Sequence, residues 1–152
     1  MRPSFNKRGI IMTKNKMELS FLAVSQNEAF ARVAVASFAA QLNPTVAEIT
    51  EIKTAVSEAV TNAIIHGYEN IDGECLVNLK CHIAGREIVI EISDSGAGIA
   101  DIAQAREPLY TSKPEMERSG MGFTVMEEFM DQMEVVSQIG AGTTIKLRKT
   151  LQ

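Results

Sequence analysis

Asn43-Pro44-Thr45-Val46-Ala47-Glu48 opens a helix that the apolar pattern carries as far as Gly67. Thr45 followed three residues later by Glu48 is a capping box, and Pro44 beside it suits a chain entering a helix. Behind the cap, Ile49, Ile52, Val56, Val60 and Ala63 recur at helical spacing and predict one core-facing stripe. Glu51, Glu58, Asn62 and His66 fall on the opposite side. The last three are spaced i, i+4, i+8, so they form one polar ridge. Such ridges are commonly solvated faces. Here the surroundings, Ala55, Ala59, Ala63, Ile64 and Ile65, are apolar, and asparagine is a poor helix former. The ridge therefore asks for a function. An Asn62 amide oxygen is a hard ligand of the kind Mg²⁺ takes alongside phosphates. Glu58, one turn earlier, can accept a proton from a hydroxyl or water. Gly67 predicts a left-handed turn at the helix end.

Downstream, residues 75–83 and 87–93 read as strands of a hairpin around Ala84-Gly85-Arg86. Residues 123–131 read as a helix, and 133–137 with 143–148 as a second hairpin. Upstream, Ser25-Gln26-Asn27-Glu28 fits another capping box. The helix behind it is expected to turn Phe30, Val33, Ala34, Ser37, Phe38 and Gln41 inward. Glu28, Arg32, Val35, Ala36 and Ala39 are then left outside, either as an ordinary small-residue surface or as a protein interface anchored by Arg32. Residues 16–24 are expected to form an edge strand, and the basic stretch 1–15 a flexible extension. The order β, α, α, β, β, lid, α, β, β predicts an α+β, two-layer architecture with helices on one face of a mixed, mostly antiparallel sheet.

Two glycine-rich turns flank the long connection 99–119, which holds two prolines and no sustained period; such a connection suggests a lid. Asp94-Ser95-Gly96-Ala97-Gly98 follows a strand. It is either a tight turn or a site where a carboxylate meets an adenine amino group and Gly96 and Gly98 let backbone approach a flat base. Ser119-Gly120-Met121-Gly122-Phe123 opens a helix. It is either an N-cap or a phosphate site built from backbone N–H groups. Lys113 and Arg118 in the lid are either solvated or complement phosphate charge. Other phosphate motifs fail. There is no Walker sequence, Asp101 and Val125 spoil both dinucleotide fingerprints, and the protein-kinase signatures are missing.

The bulk numbers set limits. A length of 152 residues suggests one domain, with residues 16–152 as its body. A net charge of −4 gives no electrostatic attraction to nucleic acid or anionic membrane. No run reaches membrane-spanning length, and residues 1–16 lack the apolar stretch of a secretory signal. Cys75 and Cys81 are too far apart to bridge along one strand, which suggests reduced thiols and a cytoplasmic setting.

Taken in order, Glu58-Ala59-Val60-Thr61-Asn62-Ala63-Ile64-Ile65-His66, Asp94-Ser95-Gly96-Ala97-Gly98 and Gly120-Met121-Gly122 resemble the N box and the two glycine boxes of the GHKL ATPase/kinase superfamily. Within it, residues 27–33, 58–68 and 111–123 resemble the anti-sigma-F family of endospore-forming bacteria. The resemblance implies a Bergerat ATP-binding fold, ATP and Mg²⁺ as ligands, and a homodimer. It implies two partners: a sporulation sigma factor of the sigma-F type, which is held, and an anti-anti-sigma protein, which is phosphorylated on serine. Carried over by motif, Asn62 is the Mg²⁺ ligand, Asp94 the adenine reader and Glu58 the general base, with Thr143 supporting the adenine contact. His66, Thr111, Ser112, Lys113, Arg118, Ser119, Gly120, Met121 and Gly122 complete the nucleotide set. The basic extension 1–13 departs from the family pattern. Three other readings stay open: a kinase acting on a stress sigma factor, a plain ATPase, and a nucleotide-gated binding module.

Overall fold

The computed structural model describes residues 4–5, 11–12, 14–67, 74–107 and 122–152. Short strands β1 (Ser4–Phe5) and β2 (Ile11–Met12) pair antiparallel within the stretch expected to be a flexible extension. Strand β3 (Lys14–Leu22) follows, two residues earlier than the pattern predicts. Helices α1 (Gln26–Ala39) and α2 (Val46–Asn62) come next. After them come β4 (Leu76–Ala84), β5 (Glu87–Asp94), the short α3 (Ile102–Ala105), α4 (Gly122–Phe129), β6 (Gln132–Gln138) and β7 (Gly142–Thr150).

The large sheet has the order β3-β4-β5-β7-β6, and all its described pairings are antiparallel, not mixed. Alternation along the strands builds its two faces. Val77, Leu79, Cys81 and Ile83 of β4 and Ile88, Ile90 and Ile92 of β5 point at the helices and are buried. The other face carries charge, including Arg148 paired with Glu87 at 2.7 Å and Lys146 with Glu91 at 3.7 Å. Cys81 lies in the core, where burial pushes its thiol up to about 12. Neither cysteine forms a disulfide. Among the described residues no helix is long and apolar enough to cross a membrane.

Helix α2 begins as its sequence predicts. Thr45 is extended, its hydroxyl accepts from the Glu48 N–H at 3.1 Å, and the Glu48 carboxylate accepts from the Thr45 N–H at 2.9 Å. Ile52, Val56, Val60 and Ala63 are buried as expected, and Ala55 and Ala59 join them.

Helix α1 departs from expectation twice. Ser25 has helical backbone angles and makes no side-chain cap. Backbone bonds from Asn27 N–H to the Val24 oxygen and from Glu28 N–H to the Ser25 oxygen turn the chain instead, and Glu28 pairs with Arg32. The inward face is also different. Ala31, Val35 and Ala39 are fully buried, while Phe30 and Val33 are 57% and 60% exposed. Apolar residues occupy most sides of this helix, so its period leaves the face undecided. Close packing decides it: the small Ala31 and Ala39 let α1 approach its neighbours, and the larger Phe30 and Val33 are left in solvent.

The two caps predict a contrast. Thr45→Ala should destabilise the fold by about 1 kcal/mol. Ser25→Ala, which removes no cap bond, should leave the urea midpoint unchanged. Equal losses in urea titrations of the two variants would contradict this account.

Candidate functional site

The site is built where the end of α2 meets the ends of β5 and β7. Residues Ala63–Gly67 continue α2 as a π-helical turn, a distortion frequent at functional sites. Gly67 does not adopt the left-handed angles expected of it. Its glycine is required by contact: a Cβ there would stand 2.8 Å from the carboxyl carbon of Asp94. The Gly67 carbonyl accepts the Ala97 N–H at 2.6 Å. A Cβ on Gly96 would fall 1.6 Å from that same carbonyl oxygen, which no side chain allows. On the other side, the Ala97 oxygen accepts from Gly140 N–H at 2.9 Å, and Ile99 N–H donates to Ser137 Oγ at 2.7 Å. Gly98 has a φ of +79° and its Cα packs on the Gln138 carbonyl. The loop after β5 is thus pinned between the end of α2 and the β6–β7 hairpin.

Asp94 stands at the end of β5 on the helix-facing side, directly opposite Thr143 of β7, which is itself opposite Ser137 of β6. The three form one cross-strand row. Burial raises the Asp94 carboxyl above its ordinary range, and hydrogen bonds from the backbone N–H groups of Gly96 and Thr143 oppose that shift. The Gly96 bond is 2.9 Å long. Thr143 Oγ1 and Ser137 Oγ lie 2.8 Å apart, and Ser137 Oγ also donates to the Gly142 oxygen at 3.2 Å. One hydroxyl therefore ties the loop, the hairpin and Thr143 together. Ser137 carries no signal in the sequence, because a lone serine in a strand is ordinary.

The second centre lies along α2. Glu58 and Asn62 both face the first residue of α4: a Cβ on Gly122 would stand 3.1 Å from Glu58 Oε2 and 3.6 Å from both Asn62 amide atoms. A carboxylate, an amide and the first residue of a helix converge here. This combination suits an anionic oxygen-rich group with a cation. The amide and the space left by the missing Cβ fit a Mg²⁺ held by one protein oxygen together with phosphates.

Of the residues singled out from sequence, Glu58, Asn62, Asp94, Gly96, Gly98, Gly122 and Thr143 are thus gathered around the end of α2. Thr111, Ser112, Lys113, Arg118, Ser119, Gly120 and Met121 lie outside the described residues, as does the His66 side chain. Only the start of the expected lid is described. It holds α3, capped by Asp101 Oδ1, which accepts from Gln104 N–H at 3.0 Å. Arg106 just after it pairs with Glu127 of α4. Arg32 sits apart from this centre, half-buried between Glu28 at 3.3 Å and Ser57 Oγ at 3.4 Å.

Residues 23–149 match the family described as the histidine kinase-like ATPase domain. A Clostridium acetobutylicum protein named anti-sigma F factor is 61% identical over 138 residues, covering 91% of this chain and 95% of that one. The protein of that name from Oceanobacillus iheyensis is also 61% identical, covering 91% and 94%. Among solved structures, the RsbU and RsbW domains of a Mycobacterium tuberculosis protein superpose with a TM-score of 0.66 at 18% identity, over 90% of this chain and 32% of that one. The histidine kinase domain of a blue-light activated kinase from Erythrobacter litoralis gives 0.56 at 18% identity, over 82% and 60%. These two speak for the fold alone. The sequence relatives go further, and with them this chain belongs to the anti-sigma F factors, within the histidine kinase-like ATPases.

Proposed function

We propose that this chain binds ATP with Mg²⁺, holds a sporulation sigma factor of the sigma-F type, and phosphorylates a serine of an anti-anti-sigma protein. The observation that carries the catalytic part is the convergence of Glu58 and Asn62 on Gly122 at the start of α4. The relatives, named anti-sigma F factors, support the sigma-factor part.

Each residue takes a role that follows from its place. Asp94 accepts from the adenine amino group, with the pinned loop 95–98 lying against the base and Thr143 beside it. The triphosphate runs toward the first turn of α4, where backbone N–H groups complement its charge. Asn62 offers its amide oxygen to the cation; Mg²⁺ supplies charge neutralisation of the phosphates when bound. The residues outside the described set, Thr111, Ser112, Lys113, Arg118, Ser119, Gly120, Met121 and His66, are proposed to close around the nucleotide. The partner's serine oxygen attacks the γ-phosphorus, and its proton goes to Glu58. The bond from γ-phosphorus to the β–γ bridging oxygen breaks, leaving ADP and phosphoserine. Catalysis of this kind is mostly positioning and charge stabilisation.

The partner surface is proposed on the exposed side of α1. Phe30 and Val33 stand in solvent there, and Arg32 flanks them on the side of α1 toward α2, held by Glu28 and Ser57. The chain is proposed to act in the cytoplasm as a homodimer, with residues 16–152 as one catalytic domain.

Three outcomes follow. Glu58→Gln should keep ATP affinity and slow transfer to the anti-anti-sigma protein at least about a hundredfold, whereas Asn62→Ala should lose ATP·Mg²⁺ binding. Normal transfer in the first variant or normal binding in the second removes the assigned roles; labelled ATP with isothermal titration reads both.

Asp94→Asn should act in opposite directions on stability and binding. Because burial raises the folded-state pKa, the unfolded chain loses this proton first as pH rises. The penalty on the fold grows from about pH 4 upward and is complete above the folded pKa. The nucleotide-free variant should therefore melt higher than the parent at neutral pH and converge with it in acid. Its ATP affinity should fall roughly tenfold or more, the worth of a hydrogen bond to a charged acceptor. A variant that melts lower at neutral pH would contradict the assignment.

Finally, Arg32→Glu and Val33→Asp should each abolish sigma-factor binding in pull-downs while ATP affinity stays intact. Retained binding in both would move the interface elsewhere.

A further inference from the structure

Among the described residues, Lys149 is the buried charged side chain, 8% exposed. It stands on β7 in the helix-facing row of Thr143, Ile145 and Leu147. Its Nζ donates to the Phe129 carbonyl at 2.7 Å and pairs with Glu51 Oε2 at 2.9 Å. Phe129 is the last residue of α4, and Glu51 lies on α2. One ammonium therefore joins a strand and two helices. It also caps the negative end of α4, where a cation is favoured.

The geometry of α4 gives this junction a consequence. The helix has eight residues, a length of roughly 12 Å. Its last residue is held near Glu51, and its first, Gly122, faces Glu58 and Asn62 further along α2. So α4 runs antiparallel to α2. Its placement is fixed at the Lys149 end and felt at the phosphate end of the proposed site.

We propose that Lys149, acting with Glu51, is a positioning residue that sets the first turn of α4 against Glu58 and Asn62, and so governs affinity for the triphosphate without touching it. The proposal rests on the nucleotide reading above. Two other bonds anchor the same region: Asp131 N–H to the Arg148 oxygen at 2.9 Å, and Thr150 N–H to Asp131 Oδ2 at 2.7 Å. They hold the segment after α4 to β7 whether or not Lys149 is present. What Lys149 adds is the tie to α2 and the cap on the last turn of α4. The adenine end depends on Gly67, Asp94 and Ser137 instead, so the effect must be selective.

The test compares adenosine with ATP·Mg²⁺ by isothermal titration. Lys149→Met keeps the apolar stem and removes the charge. It should weaken ATP about tenfold and leave adenosine within roughly twofold; Lys149→Arg should restore most of the ATP affinity. Glu51→Gln, which leaves the cap on Phe129 in place, should weaken ATP in the same selective way and serves if the Lys149 variant does not fold. Equal loss of both ligands, or full ATP affinity in folded Lys149→Met and Glu51→Gln, overturns the proposal. Failure of the unaltered chain to bind either ligand would instead overturn the nucleotide reading itself, and the proposal with it.

Discussion

The carbonyl of Gly67 receives the Ala97 N–H at 2.6 Å, with Gly96 packed so close that a Cβ would sit 1.6 Å from the same oxygen. This backbone-on-backbone contact joins the end of α2 to the loop after β5. It exists only because both partners lack side chains at the point of approach. Asn62 lies five residues before Gly67, across the π turn, and Asp94 lies two before Gly96. The separation between the two halves of the site is therefore set by a short run of hydrogen-bonded backbone and by no flexible element. Preorganisation of that kind lets polar groups act without reorganising when a ligand arrives.

Two charges near the site, Lys149 buried and Asp94 half-buried, illustrate opposite solutions to one problem. Lys149 has its charge compensated by Glu51 and the Phe129 carbonyl. Asp94 receives the backbone N–H groups of Gly96 and Thr143, and burial still raises its pKa. A carboxylate held in that state is disfavoured alone and favoured once a donor reaches it. In the proposed nucleotide site, that cost is the counterpart of selectivity for a ligand with an amino group in the right place.

How much of this was legible in sequence depended on how local each signal was. The Thr45–Glu48 cap, the ridge of Glu58 and Asn62, and the two hairpins depend on spacing within a few residues, and all appear as read. The face of α1 did not, because Ala31, Val35 and Ala39 look no more apolar than Phe30 and Val33; only the closeness that alanine allows distinguishes them. Gly67 announced itself as special, but its reason is contact with Asp94 from a distant strand, not a left-handed turn. Ser25 fitted a cap whose work the backbone already does. Ser137 was silent, since its three hydrogen bonds reach residues brought together only by the sheet.

Helix α2 connects the parts that matter for the proposed activity. One side packs into the core through Ile52, Val56 and Val60. Ser57 meets Arg32 of α1, and the next residue, Glu58, faces Gly122 of α4. The proposed partner surface and the proposed phosphoryl-transfer centre are thus carried on adjacent residues of one helix that is capped at its start and pinned at its end. A rigid helix in that position transmits orientation directly. Were the anti-anti-sigma protein to dock on the same α1 surface as the sigma factor, its place there would fix where its serine runs relative to Glu58, and transfer chemistry that consists mainly of alignment would need little more from the protein.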